Sequence, residues 1–169
     1  MITEIRAGMG VKRFHTTNRN QEETVGHHSA NVCGILLRLD PMVSRDLLVT
    51  ALMHDVAEAY TGDVPAPFKW DSPEAKRALE DGEIDYFNDN DIPEPEVSVE
   101  EAQLLKVADM MDLVLSSIEE MGRGNSYAKK LVKNGQQYLA EMELAPELAM
   151  KCNAMVEEVK GQWLQTISK

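Results

Sequence analysis

Apolar residues recur along this chain at the spacing of amphipathic helices. From Gln21 to Asp40 they return every three or four positions, and Pro41 ends the run. A second run extends from about Val43 to Tyr60, with Gly62 as a suitable C-terminal stop. No segment alternates apolar and polar residues over the length of a strand. Because about 3.6 residues complete one helical turn, this spacing predicts an all-α protein.

Further segments complete the predicted bundle of about six to seven helices. A short helix precedes Gly8 and Gly10, and a stiff loop with three prolines runs from Asp63 to Pro73. Ser98 and Glu101 are spaced as a capping box at the start of a long helix. The predicted helices beyond the loop run over about 72–88, 98–121, 126–142 and 146–167. The break at 88–96 is too short for a domain linker, so we expect residues 1–169 to form a single domain.

Composition and charge narrow the classes of function. Of 169 residues, 43% are hydrophobic, but no run approaches the roughly 18 apolar residues of a membrane span. The start of the chain lacks an export pattern, and Cys33 and Cys152 are expected as reduced, buried thiols. We therefore expect a cytoplasmic protein, in the host cytoplasm if phage-encoded, with no membrane partner. The net charge of −12 argues against a nucleic-acid polymer as partner, although a small phosphorylated ligand needs only a few local cations.

Ionisable residues interrupt the apolar runs at positions that should face the interior. His54 and Asp55 stand side by side in the second run, and Glu58 follows one turn later. His28 lies on the inward stripe of the first run, and Asp109 lies on an edge of the long helix. Buried charges are costly unless something pairs with them. A divalent transition metal is a common solution, because imidazole and carboxylate groups are both good ligands.

Each of these residues also has an ordinary explanation. A lone inward histidine is more often a satisfied core residue, and Asp109 could pair with Lys106, three residues before it. Glu58 could form a surface ion pair. Four such groups on three helices are harder to explain separately. Together they would satisfy one ion and leave positions for water and a substrate oxygen. The predicted metal ligands are His28, His54, Asp55 and Asp109.

The motifs resemble those of a known family. The order H…HD…D is similar to the HD-domain superfamily of metal-dependent phosphohydrolases, and the fuller set resembles the 5′-deoxynucleotidase family. The small phage dATP triphosphohydrolases share nearly the same set. The resemblance covers about residues 12–121. The matching segments are Arg13-Phe14, TVGHHS, HDVAE, TGDVPAPFK and Lys106 to Asp109.

The resemblance implies roles for residues around the proposed metal. Glu58 would transfer protons at the attacking water or the leaving oxygen, and Arg13 and Lys69 would bind phosphate oxygens. Phe14, where the family often has Trp, would pack on the sugar and exclude a 2′-hydroxyl. Asp63, which we place with Glu58 among the catalytic residues, would bind the sugar 3′-hydroxyl. The remaining predicted substrate contacts are Val64, Pro65, Ala66, Pro67 and Lys106.

The function expected from this resemblance is hydrolysis of a deoxynucleotide with one divalent metal, which could be Co, Mn, Zn, Fe or Ni. A 5′-deoxynucleotidase, which cleaves a dNMP, is favoured over a triphosphohydrolase, which would need more cations or a second metal such as Mg. A non-catalytic nucleotide-binding HD protein is a third reading, although Glu58 and an open coordination position argue against it. The resemblance also implies a homo-oligomer, either a dimer or a larger ring.

Overall fold

A computed structural model describes residues 2–167, and it describes side chains as far as residue 163. Within this range the chain is all-α, as predicted, and forms nine helices. An isolated antiparallel bridge joins Lys12 to Thr24. The helices are α1 (Ile2–Met9), α2 (Val25–Leu39), α3 (Arg45–Met53), α4 (Glu58–Thr61), α5 (Ala66–Asp71), α6 (Pro73–Asp89), α7 (Val99–Gly122), α8 (Ala128–Glu141) and α9 (Pro146–Ile167).

The main core lies where α2, α3, α7 and α9 pack together. Helix α2 buries the whole predicted stripe, including His28. Each fully buried aliphatic side chain contributes about 1.5–3 kcal/mol, so this stripe fixes the rotation of α2 about its axis. Cys152 is buried in the same core, Cys33 is half-buried beside it, and both thiols are free. None of the helices in the described range is long and apolar enough to cross a membrane.

The predicted helix from Val43 to Tyr60 is interrupted. Helix α3 ends at Met53, and α4 begins only at Glu58. Between them, successive backbone bonds span three residues rather than four, from Val56 to Met53 and from Glu58 to Asp55. Such tight turns often mark a functional site within a helical segment. Periodicity could not detect this break, because tight and regular helical turns use the same residue types.

The prediction of a loop from Asp63 to Pro73 was wrong in part, because α5 lies inside it. Pro67 is tolerated there because it stands at the start of the helix, where a backbone N–H has no helical partner. Together with the interruption after Met53, this short helix explains why nine helices form rather than six or seven. Gly62, with φ at 70°, ends α4 in the left-handed conformation that favours glycine.

Hydrogen bonds at the helix starts align the two helices that lead to the candidate site. The hydroxyl oxygen of Ser44 accepts a hydrogen bond from Leu47 N at the start of α3, and the same hydroxyl donates a hydrogen bond to Glu101 Oε1 at 2.6 Å. Glu101 is also the second half of the predicted capping box with Ser98, which the structure confirms. Hydrogen bonds therefore join the starts of α3 and α7, and this fixes how far one helix is shifted along the other.

A close approach between α7 and α8 gives a test of the packing. A Cβ atom on Gly135 would stand 2.6 Å from Val114 Cγ2, whereas one on Gly34 in α2 would meet nothing within 4 Å. Alanine gains about 1 kcal/mol of helix propensity over glycine, but overpacking costs about 1–3 kcal/mol. Gly135→Ala should therefore lower the free energy of unfolding by about 1 kcal/mol, and Gly34→Ala should raise it by up to about 1 kcal/mol. Urea denaturation measures both, and equal stabilisation by the two changes would contradict the packing.

Candidate metal centre and active site

Three of the four predicted metal ligands converge on one point. Helix α2 supplies His28, the turn after α3 supplies His54, and α7 supplies Asp109; their ligand atoms all lie within 4.8 Å of one another. The two Nε2 atoms are 3.3 Å apart, and Asp109 Oδ1 is 3.2 Å from His28 Nε2. His28 is fully buried, as the periodicity predicted, whereas the Asp109 side chain keeps 42% of its exposure. The cluster is therefore buried on the side of His28 and open to solvent on the side of Asp109.

The other ring nitrogens fix the direction of both imidazoles. His54 Nδ1 lies 2.8 Å from the carbonyl oxygen of Ala51, and His28 Nδ1 lies 2.7 Å from Asp112 Oδ2. A carbonyl only accepts hydrogen bonds, so Nδ1 of His54 carries the proton and its Nε2 offers a lone pair. The Asp112 carboxylate does the same for His28. Metal-binding histidines are usually held in this way by a second hydrogen bond.

These residues fit a divalent metal ion. Two imidazole nitrogens bound to one tetrahedral zinc ion lie about 3.3 Å apart, which matches the observed separation. Burial lowers the pKa of His28, but hydrogen bonds with Asp109 and Asp112 outweigh this effect and raise the pKa to about 9. The surrounding carboxylates thus favour a positive charge between the imidazoles, and a proton and a metal ion are alternative ways to provide it.

Asp55, the fourth predicted ligand, lies beside this cluster and is shared with Arg13. Its Oδ2 atom is 3.4 Å from His54 Nε2 and 3.6 Å from His28 Nε2. The same oxygen accepts from Arg13 Nη1 at 2.5 Å. Arg13 is therefore held at the edge of the candidate metal site, where its charge lies close to any group bound in front of the histidines. Whether Asp55 completes the ligand set stays a prediction.

Glu58 has the surroundings of a proton-transferring group. Its side chain is buried at the start of α4, and its Oε2 atom makes no hydrogen bond within the described residues. Burial, and then the negative charges of Asp55 and Asp63, raise the pKa of Glu58 to about 8. A buried carboxyl beside two carboxylates can exchange a proton near neutral pH. Its predicted role therefore has a physical basis in this site.

Phe14 and Asp63 meet at the same side of the site. The backbone N–H of Phe14 donates to Asp63 Oδ2 at 2.6 Å, and Phe14 adopts a left-handed φ of 57°. His15 Nδ1 lies 4.0 Å from the same oxygen. Asp63 thus links the segment that carries Arg13 to the loop before α5. One of its oxygens is engaged in holding this arrangement, while its role towards a sugar stays a prediction.

The remaining predicted substrate contacts lie on and around α5, apart from Lys106. Val64, Pro65 and Lys69 are half-buried, and Ala66 and Pro67 are exposed. Lys106 is exposed on α7 and forms no ion pair within the described residues. The ion pair between Asp109 and Lys106, which would have been the ordinary explanation for Asp109, is therefore not formed. Asp109 faces His28 instead. Helical neighbours three residues apart can pair, but these two side chains lie in different surroundings.

Sequence reasoning missed three residues that support the site. Asp112 orients His28, and Glu23 lies 3.4 Å from both Arg13 Nε and Arg19 Nη2. Glu23 is buried, and burial followed by the charge of Asp112 raises its pKa. The position of Asp112 one turn after Asp109 was the available signal for it. Glu23 and Arg19 carried no comparable signal, because the loop that positions them has no periodic pattern.

The fold is shared with solved structures, two of which are described as HD phosphohydrolases. A cyanophage S-2L HD phosphohydrolase (DatZ), solved with dA and one catalytic Zn²⁺ ion, matches with a TM-score of 0.72 at 19% identity, over 96% of this chain and 97% of the other. The HD-domain phosphohydrolase lin2634 from Listeria innocua matches with a TM-score of 0.65 at 20% identity, over 95% and 97%. PH0347 from Pyrococcus horikoshii matches with a TM-score of 0.62 at 21% identity, over 95% and 98%. At these identities the similarity establishes the HD-domain fold.

Sequence comparison gives the family. The 5′-deoxynucleotidase VV1113 of Vibrio vulnificus is 26% identical over an alignment of 138 residues, which covers 68% of this chain and 71% of the relative. The profile of the family described as 5′-deoxynucleotidase YfbR-like matches residues 3–88, which include Arg13, His28 and the His54-Asp55 pair. The resemblance inferred from the motifs is confirmed. Because that profile matches more than half of the chain, the protein belongs to the YfbR-like 5′-deoxynucleotidase family.

Proposed function

We propose that this protein is a metal-dependent 5′-deoxynucleotidase that hydrolyses a deoxynucleoside 5′-monophosphate to a deoxynucleoside and phosphate. The observation that carries the proposal is the convergence of His28, His54 and Asp109, with Arg13 held beside them through Asp55. Membership of the YfbR-like family supports the same activity. The single reaction centre would accept one phosphate ester, with its sugar towards Phe14 and Asp63.

His28, His54 and Asp109 would hold the metal, with Asp55 as the candidate fourth ligand. A divalent ion bound there supplies Lewis-acid stabilisation of phosphoryl oxygens and lowers the pKa of a coordinated water. Two imidazoles and carboxylate oxygen suit Co, Mn, Fe, Ni and Zn, and the cyanophage relative holds zinc. Because Asp109 is partly exposed, the open side of the cluster faces the position where substrate would enter.

Cations of the chain itself would bind the phosphate. Phosphoryl transfer depends mainly on positioning and on charge neutralisation, so fixed cations are the main requirement. Arg13 is fixed by Asp55 and Glu23, and Lys69 lies half-buried on α5. Lys106, on the exposed surface of α7, would contribute at longer range. Two near cations match the charge of a monophosphate ester, and this favours dNMP over dNTP.

Proton transfer and sugar recognition would come from the segments on either side of α4. Glu58 would exchange a proton with the attacking water or with the leaving 5′ oxygen. Asp63 would accept from the sugar 3′-hydroxyl through the oxygen lone pairs left free by Phe14 N–H. The Phe14 ring would occupy the space of a 2′-hydroxyl, which disfavours ribonucleotides. The residues Val64, Pro65, Ala66 and Pro67 would form the wall of this subsite.

Three finer properties stay proposals. The resemblance implies that the protein would assemble as a dimer or larger ring. Its free cysteines support the separate proposal that it would act on its small-molecule substrate in the cytoplasm. A second metal such as Mg, bound together with substrate phosphates, belongs to the alternative activity on triphosphates. These properties do not affect the assignment of the reaction centre.

The choice between monophosphate and triphosphate can be tested directly. The protein, supplied with Co²⁺ or Mn²⁺, should release inorganic phosphate from dNMPs, because Arg13 and Lys69 provide charge for a single phosphate group. Incubation with each dNMP and dNTP, followed by separation of phosphate from tripolyphosphate, measures this. Release of tripolyphosphate from a dNTP, with no release of phosphate from any dNMP, would establish the triphosphohydrolase alternative instead.

Glu58→Gln tests the proposed proton transfer. The amide keeps the shape of the side chain but cannot exchange a proton, so kcat for dNMP should fall by about 10²–10⁴-fold. Metal stoichiometry should stay unchanged. Glu141→Gln on α8 is the matched control and should retain activity, because within the described residues Glu141 accepts a side-chain hydrogen bond only from Gln137. A Glu58→Gln enzyme with wild-type turnover would remove Glu58 from the reaction and strengthen the non-catalytic binding alternative.

Asp112→Asn tests whether the buried carboxylate prepares His28 for a metal. Replacing the carboxylate by an amide weakens the hydrogen bond that orients His28, so metal affinity should fall by about 10–100-fold. Competition between the protein and a chelator for Co²⁺ measures the affinity, and circular dichroism checks the fold. Asp81→Asn, on the exposed side of α6, is the control. Equal affinities in the two variants would mean that Asp112 has only a structural role.

A further inference from the structure

The loop between α1 and α2 is closed at its base and carries Arg13 and Phe14. The bridge between Lys12 and Thr24 joins its two ends. Arg13 N donates to the carbonyl of Glu23 at 2.9 Å, and Val25 N donates to the carbonyl of Val11 at 2.9 Å. These bonds hold the base of the loop next to the start of α2, and therefore next to His28.

The far end of the same loop is attached to the end of α7. Glu120, which is buried, accepts from the backbone N–H groups of Asn20 at 2.6 Å and Gln21 at 3.1 Å. Asn125 Nδ2 donates to the carbonyl of Asn18 at 2.8 Å and also to Glu120. Between these attachments the loop has little freedom, and side chains within it are held at defined positions.

Phe14 stands in this loop with a backbone conformation that a bulky residue rarely adopts. Its φ of 57° lies in the left-handed region, where a side chain crowds the backbone. The Phe14 carbonyl accepts from Thr17 N at 2.8 Å, and its N–H is held by Asp63. A non-glycine residue stays in this region only where the contacts around it hold it there. The surroundings of the ring should therefore include a group that holds it.

Arg19 is that group. Its Cζ atom lies 4.3 Å from the centroid of the Phe14 ring, against 5.5 Å for Arg13, and its side chain is only 8% exposed. Its Nε and Nη1 atoms are sealed from solvent and make no hydrogen bond within the described residues. The guanidinium therefore acts on the ring through a cation–π contact.

Glu23 couples this contact to the phosphate-binding arginine. One carboxylate oxygen lies 3.4 Å from Arg19 Nη2, and the other lies 3.4 Å from Arg13 Nε. The Glu23 side chain is buried, and the two arginines partly offset the burial penalty on its charge. Arg19, behind the proposed sugar subsite, and Arg13, beside the candidate metal site, therefore both contact the carboxylate of Glu23, and all three residues belong to the same loop.

We propose that Arg19 is a positioning residue that sets the sugar selectivity of the enzyme by holding the Phe14 ring in place. This inference rests on the proposed function. With Arg19 present, the ring is fixed and leaves no space for a 2′-hydroxyl; without it, the ring can tilt and admit a ribonucleotide. Arg13 keeps its separate contact with Asp55 when Arg19 is replaced, and Arg19 forms no ion pair with Glu58 or with the proposed metal ligands within the described residues. Selectivity should therefore change more than turnover of the preferred substrate.

The test compares Arg19→Met, which keeps the length and loses the charge, with Arg19→Lys, which keeps a cation. The readout is the ratio of kcat/KM for a dNMP to that for the NMP with the same base. Arg19→Met should lower this ratio about tenfold with kcat for the dNMP nearly unchanged, and Arg19→Lys should restore most of it. Arg38→Met, an exposed change on α2, is the control. An unchanged ratio in Arg19→Met would overturn the proposal.

A second readout is independent of turnover. The chain has three phenylalanines, so ring NMR signals of a selectively labelled protein can be assigned with a Phe14→Leu variant. The Phe14 signal should shift in Arg19→Met and stay near its wild-type position in Arg19→Lys and Arg38→Met. A Phe14 signal that does not move in Arg19→Met would refute the positioning role. If the wild-type protein hydrolysed no nucleotide, the proposed function would fail, and the ring signal would still decide whether Arg19 holds Phe14.

Discussion

The structure depends on gathering negative charge around two imidazoles in a largely buried space. Carboxylates from three parts of the chain face this space, and like charges at such distances repel strongly in surroundings of low dielectric constant. Fixed guanidinium groups and a bound cation can offset that repulsion. The arrangement is therefore built to receive a positive ion, and the packing of the helices keeps its parts in place. The groups concerned are Asp55, Asp109, Asp112, Glu23, Glu58, His28, His54 and Arg13.

The helices serve this space in different ways. Helix α2 brings His28 in through a continuous apolar stripe, so its placement follows from core packing. Helix α7 contributes Asp109 at its open edge and Asp112 from its buried face. The turn after α3 carries both His54 and Asp55, and Asp55 Oδ2 lies 3.4 Å from His54 Nε2. Regular and irregular backbone thus combine to aim side chains at one point.

Much of this could be predicted from the sequence, and the exceptions have physical causes. Periodicity identified the helix boundaries approximately and selected His28 rather than His27, because a buried stripe has a definite direction. The capping box at Ser98 was also correct, since its spacing is local. The break after Met53 and the helix at Ala66–Asp71 were not predicted, because short helical turns carry too few residues for a pattern. The Glu23–Arg19 contact was missed because it depends on how a non-periodic loop closes.

The two histidines differ in how their orientation is encoded. Nδ1 of His54 is held by the carbonyl of Ala51, a main-chain atom that every amino acid possesses. Nδ1 of His28 is held by the carboxylate of Asp112, which only a few residue types could replace. Single-codon changes therefore cannot delete the acceptor for the first ring, whereas they can delete the acceptor for the second. The orientation of His54 therefore withstands substitution of residue 51 during evolution. The orientation of His28 persists only while selection keeps a suitable acceptor at position 112, which is far away in the sequence.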